Sequence, residues 1–173
     1  MPTKSLKTLL GERLSGERRV AVLGIGSELR ADDGAGMLVI EMLDKPPVSK
    51  ICSSKLRAFA GATAPENLTG EIRRFKPSHV VMVDTAEMGE KPGTILLLKP
   101  ELLGGRATFS THTMPAEILS NYFRKSIKCS ITVIGIQPKS IEFGRSMSKS
   151  VRGAAKEVAD AIKGAVCDIQ KVR

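Results

Sequence analysis

Aromatic residues are scarce in this chain of 173 residues: there is no Trp, a single Tyr (Tyr122) and five Phe. That scarcity removes the platforms on which proteins stack single-stranded bases, and no DNA-binding or RNA-binding motif replaces them. Three cysteines, Cys52, Cys129 and Cys167, stand at wide spacings with no Cys-x-x-Cys pair, which argues against a redox couple or a zinc knuckle. They read as small apolar side chains in or near the core. No run of about 18 apolar residues is present to cross a membrane. The leucines of Met1 to Leu14 are interrupted by Lys4, Lys7, Glu12 and Arg13, unlike a secretory leader. A cytoplasmic, unprocessed chain is the expectation.

The net charge of +9 sits mainly at the two ends. Residues 1–20 carry five basic and two acidic side chains, residues 145–173 seven and three, and the middle is nearly balanced. Without aromatic interleaving, such basic ends suit solubility or the recruitment of an acidic protein partner better than nucleic acid.

A chain of this length buries roughly 70% of its unfolded surface around one core without disulfides or metals. The spacing predicts one domain over 1–173, with a short amphipathic helix appended at 1–16 (Leu6, Leu9, Leu10, Leu14 on one face) and a terminal helix over 146–170 packed on a sheet. Val20 to Leu23 read as a buried strand, and the helix that follows Gly34-Ala35-Gly36 is apolar around most of its circumference, which implies deep burial. A weaker strand is expected from Lys50 to Phe59, then a helix to Phe75 opened by a capping box, Thr63-Ala64-Pro65-Glu66. Val80-Val81-Met82-Val83 is continuously apolar, the mark of a strand buried on both faces. Thr94 to Leu98 follows too closely for a helical crossover and should run antiparallel near an edge, before a loop over Lys99 to Thr111. A helix from Pro115 to Arg124 and a strand from Ser130 to Ile136 complete the series. The alternation predicts an α/β three-layer sandwich: a mostly parallel sheet with one antiparallel strand and helices on both faces.

Ligands in such folds sit beyond the carboxyl ends of the strands. The loop after the first strand brings Asp32 and Asp33 there, the central strand ends on Asp84, and His112 precedes a helix. Two carboxylates and an imidazole on three loops suit a divalent transition metal with open positions for water or substrate. Each has an alternative role: Asp32 suits the N-cap of the next helix, Asp33 would gain from that helix's dipole with nothing bound, and His112 would serve as an ordinary loop histidine. Asp84 is harder to account for, because a carboxylate ending a doubly buried strand is costly to desolvate without a partner. His79, about 16 Å back along the same strand at about 3.3 Å per residue, belongs to the opposite edge. Gly24-Ile25-Gly26 lacks the third glycine of a dinucleotide site, since Leu29 stands in its place. A triad of Ser27 or Ser110 with His112 and Asp84 lacks the Gly-x-Ser-x-Gly elbow.

Over about Val20 to Pro138 the chain resembles the hydrogenase maturation endopeptidases, closest to the hydrogenase-3 type. The resemblance rests on an ordered set of motifs. After the glycine turn come Ala31-Asp32-Asp33-Gly34-Ala35-Gly36, Ala64-Pro65-Glu66-Asn67, Val83-Asp84, and Met88-Gly89 with Pro92-Gly93. Thr111-His112-Thr113-Met114-Pro115 and Gly135-Ile136-Gln137-Pro138 follow. Two positions depart from the family pattern, Ser27 where Asn is usual and Ala62 in place of the second glycine of a pair. The resemblance implies a twisted five-stranded sheet and removal of a C-terminal extension from the nickel-iron hydrogenase large-subunit precursor once nickel has been inserted. It implies Asp33, Asp84 and His112 as metal-contacting residues, with nickel arriving on the substrate and the isolated protein metal-free. Asp33 or Asp84 would act as base toward a water polarised by nickel; in the other version the metal is only a checkpoint that docks the scissile bond. The rival reading is a non-enzymatic nickel-binding assembly chaperone using the same three ligands.

Overall fold

The computed structural model describes residues 5–45, 54–98, 108–109 and 116–168. His112, Cys52 and the side chain of Cys167, all singled out above, lie outside the described residues. Helix α1 (Leu6–Leu14) starts at Ser5, whose hydroxyl accepts from the Thr8 amide. Strand β1 (Val20–Ile25) leads to a 3-10 turn (Ala31–Gly34) and helix α2 (Ala35–Asp44). Strand β2 (Leu56–Ala62) precedes a second 3-10 turn (Pro65–Leu68) and helix α3 (Thr69–Phe75). Strands β3 (His79–Glu87), β4 (Ile95–Leu98) and β5 (Thr108–Phe109), helix α4 (Ala116–Ile127), strand β6 (Ser130–Ile136) and helix α5 (Lys149–Asp168) complete the chain.

The sheet runs β2-β1-β3-β6-β4, parallel throughout except for β4, which pairs antiparallel with β6 at the edge. This is the expected mixed sheet. Side-chain alternation explains its two covered faces. Val20, Val22, Val81, Val83, Ile134 and Ile136 face one core shared with α1, α2 and α5. Ala21, Leu23, Ile25, Val80, Met82 and Val133 face a second core shared with Ile72 of α3 and Leu119 and Phe123 of α4. Both sides being apolar, β1 and β3 have no polar face, which is why they read as continuous runs. Cys129 is buried as expected, and burial pushes its thiol up to about 11. No helix among the described residues is long and apolar enough to cross a membrane.

Several local expectations are corrected. Strand β2 begins at Leu56, after a turn at residues 54–55, and extends through Ala62. The capping box does not form: the N-cap of the 3-10 turn is Ala64, with no side-chain cap, and α3 starts only at Thr69. Backbone bonds close the turn instead, Ala64 N donating to Gly61 O and Asn67 N to Ala64 O, each at 3.1 Å. Helix α2 buries Val39, Ile40 and Leu43, but Met37, Leu38 and Met42 are only half-buried. The stretch between β4 and α4 includes β5, which pairs antiparallel with Ala86 and Glu87 at the end of β3.

Candidate active site

The register aligns Gly24 of β1 with Val83 of β3, so both strands deliver their next residues to the same carboxyl edge. Helix α2 is pressed onto that edge, because a Cβ on Gly36 would collide with the carbonyl oxygens of both Ile25 and Val83. Gly26, at φ +134°, folds the chain back so tightly that a side chain there would overlap the Asp33 carbonyl. Arg30 N donates to Ser27 O and Asp33 N to Arg30 O, closing the loop as a compact turn.

In that turn Asp33 is fully buried. Its Oδ2 accepts from the Ser27 amide at 3.0 Å and its Oδ1 from the Thr85 hydroxyl at 3.0 Å. Asp84 is 3% exposed, and its Oδ1 accepts from the Thr85 amide at 2.7 Å. The two carboxylates, 51 positions apart in the chain, are therefore anchored on one residue, Thr85, by its hydroxyl and its amide. The desolvation cost that made Asp84 hard to account for is offset in part by that amide. Ser27, at the position where Asn is usual, serves through its backbone.

Asp32 has a different task from the one its position suggested. It sits inside the 3-10 turn, and the N-cap of α2 is Gly34, with no side-chain cap. Asp32 Oδ2 accepts from Lys139 N at 2.7 Å, Ser140 N at 3.2 Å and the Ser148 hydroxyl at 3.0 Å, while Oδ1 accepts from Ser148 N at 2.6 Å. Ser148 in turn caps α5 by accepting from Val151 N. Asp32 thus ties the 139–148 loop and the start of the terminal helix to the turn that carries Asp33.

Gln137 organises the other rim. Its Oε1 accepts from Met88 N at 2.7 Å and Glu90 N at 3.3 Å, and its Nε2 donates to Glu87 Oε1 at 2.9 Å. Sequence reasoning missed the roles of Thr85 and Gln137; the available signals were a hydroxyl directly after the carboxylate that closes the apolar run of β3, a strand that continues to Glu87, and a Gln directly after β6.

His79 lies at the far edge, paired with Val20 and Ser130 at the starts of their strands. It is 3% exposed, with Nε2 2.9 Å from Thr132 Oγ1 and Nδ1 3.3 Å from Glu17 Oε1. Burial holds its pKa below the usual 6.5, against the opposing pull of Glu17. Along the chain, the described residues that flank His112 are Phe109, opposite Ala86, and Ala116 at the start of α4. Among the described residues no group of three His, Cys, Asp or Glu side chains is placed to hold a metal ion.

Comparison with known proteins accords with this architecture. Residues 45–165 match the family model described as hydrogenase maturation protease. The hydrogenase 3 maturation protease of Escherichia coli K12 is 29% identical over 143 residues, covering 83% of this chain and 88% of its own length. The crystal structure of the [NiFe] hydrogenase maturation protease HycI from Thermococcus kodakarensis KOD1 superposes with a TM-score of 0.81 at 29% identity, covering 92% of this chain and 99% of that one. The solution structure of the endopeptidase HycI from Escherichia coli superposes with a TM-score of 0.74 at 28% identity, over 84% of this chain and 90% of that one. The chain belongs to the hydrogenase maturation protease family.

Proposed function

We propose that this protein is the endopeptidase that removes the C-terminal extension of a nickel-iron hydrogenase large-subunit precursor, using Asp33 and Asp84 for the proton chemistry. The observation that carries this reading is the anchoring of both carboxylates on Thr85, at the carboxyl edge of the sheet and beside the N-terminus of α2. An ionised carboxylate there takes a proton from the attacking water as general base and returns it to the leaving amine. The other carboxylate is held within the same bonded unit to orient the water.

Nickel belongs to the precursor in this reading. Carboxylate oxygens with an imidazole form a suitable donor set for a first-row divalent ion, so Asp33, Asp84 and His112 would hold it. Phe109 stands opposite Ala86, two positions from Asp84, and the three residues from Phe109 to His112 span at most about 11 Å. A nickel ion supplies Lewis acidity at the scissile bond or serves as the checkpoint that docks it.

The test is to mix purified protein with nickel-loaded precursor and follow the size of the large subunit. Shortening by wild type, its loss in Asp33→Asn, Asp84→Asn and His112→Ala, and no shortening of nickel-free precursor are expected. A tight complex with no shortening would replace the protease by the assembly chaperone. In Asp33→Asn the amide keeps the contacts to Ser27 and Thr85, accepting from Ser27 N and donating to the Thr85 oxygen once that hydroxyl rotates. Stability should therefore change by less than about 1 kcal/mol.

A further inference from the structure

A cleft of about 510 Å³ opens along the 3-10 turn that carries Asp33. Ala31 and Gly34, the two ends of that turn, line it together with Leu29, Leu38, Phe143 and Met147. Leu29 is 65% exposed and Phe143 75% exposed, two of only four large hydrophobic side chains exposed among the described residues. They stand on segments bonded to each other, since Gly144 N donates to Leu29 O at 2.8 Å. Large apolar side chains gathered at one cleft mark a binding surface more than isolated ones do. The Phe143 wall is braced, because Asp32 holds the backbone at Lys139, Ser140 and Ser148 on either side of it. A braced wall loses little conformational freedom when a ligand arrives.

The charges of the cleft select its occupant. Glu28 and Glu41 line it along with Arg145 and Arg152, and Arg145 is paired with Glu142. Glu41 is paired with Lys45 in turn, so the lip carries as many carboxylates as guanidiniums and no basic excess to draw a polyanion. An apolar floor between rims of both signs suits a polypeptide with apolar side chains, and the volume falls in the range of about 300–1,000 Å³ for ligand pockets. The cleft is also continuous with the Asp33 turn.

We propose that this cleft docks an apolar segment of the large-subunit precursor and holds it beside the turn that carries Asp33. The proposal rests on the proteolytic reading above. It is tested with Leu29→Asp and Phe143→Asp, exposed positions where a polar replacement leaves the fold intact, checked by thermal melts. With nickel-loaded precursor each should raise KM at least about tenfold and leave kcat within about twofold. In an Asp33→Asn background that cuts nothing, each should weaken precursor binding at least about tenfold by calorimetry. Unchanged KM and affinity would overturn the assignment. So would a wild-type dimer in sedimentation that Phe143→Asp dissociates, since a second copy would then occupy the cleft. If precursor binding depends on Phe143 but wild type never shortens it, the groove stands and the proteolytic reading falls. If cleavage depends on Asp33 and ignores both cleft positions, the reading stands and the groove falls.

Discussion

The hydroxyl of Thr85, in β3, donates to Asp33 Oδ1, in the 3-10 turn after β1, at 3.0 Å, and both residues are fully buried. Replacing Thr85 by Val preserves shape and removes that donor, leaving one carboxylate oxygen short of a bond in a dry site. A loss of about 1–3 kcal/mol in urea unfolding is expected. The precursor cleavage rate should fall at least about tenfold, because Asp33 loses a contact that fixes its orientation. Thr85→Ser, which keeps the hydroxyl, should restore most of both. If Thr85→Val cuts as fast as wild type, the hydroxyl does not position Asp33.

The neighbouring aspartates should respond oppositely to the same substitution. Asp32 receives three backbone N–H groups, from Lys139, Ser140 and Ser148, and none of these can reverse its polarity. An Asn at position 32 would aim its own N–H₂ at one of them, costing about 2–4 kcal/mol when the lost charge-assisted bonds are included. Asp32→Asn should thus lower Tm clearly, and hydrogen exchange should quicken at residues 139–148. Asp33→Asn should leave both nearly unchanged while abolishing cleavage.

The contrast between these two residues shows how far the sequence could be read. The strands were legible because burial on both faces leaves no polar side to show, as in Val80 to Val83. The meeting of Asp33 with Asp84 was legible because parallel strands end at one edge. The assignment of Asp32 to an N-cap failed because its partners lie 107 to 116 positions away, where no local pattern reaches. Local bonding within Gly61 to Asn67 likewise displaced the capping box of Thr63 and Glu66. The circumferential apolarity of α2 overstated its burial, since Leu38 packs against the core with one side and lines the cleft with the other.

His79 predicts a pH dependence far from the site. Its pKa is held below 6.5 in the folded protein, chiefly by burial, with Glu17 raising it and Arg13 lowering it. Above pH 6.5 the ring is neutral in both states and its contribution to stability is complete. As pH falls through 6.5 the unfolded chain binds a proton that the native chain refuses, and stability is lost until the folded pKa is reached. That loss amounts to at most about 1.4 kcal/mol per pH unit. Urea titrations between pH 7.5 and pH 5 should show a shallower decline for His79→Gln than for wild type. Parallel declines in the two proteins would mean that other groups carry the effect.

Ala62 offers a gain in stability. The pairing of β1 with β2 slips at this point, from Gly24 opposite Ala60 to Ile25 opposite Ala62, so that Gly61 is the extra residue of a bulge. The bulge leaves Ala62 at φ +47°, in the left-handed region, where a Cβ costs about 1–2 kcal/mol. Gly at this position would relieve that strain and return about 0.5–1 kcal/mol as extra unfolded-state entropy. The net expectation for Ala62→Gly is a stabilisation of about 0.5–1 kcal/mol, read as a higher urea midpoint at constant m. Gly61 is not open to the reverse exchange, since a Cβ there would press on the Gly24 carbonyl oxygen at 2.9 Å and on Pro65 at 3.0 Å. Ala62→Gly should therefore stabilise while Gly61→Ala destabilises, and an Ala62→Gly protein that melts below wild type would show that the left-handed conformation at position 62 carries no strain.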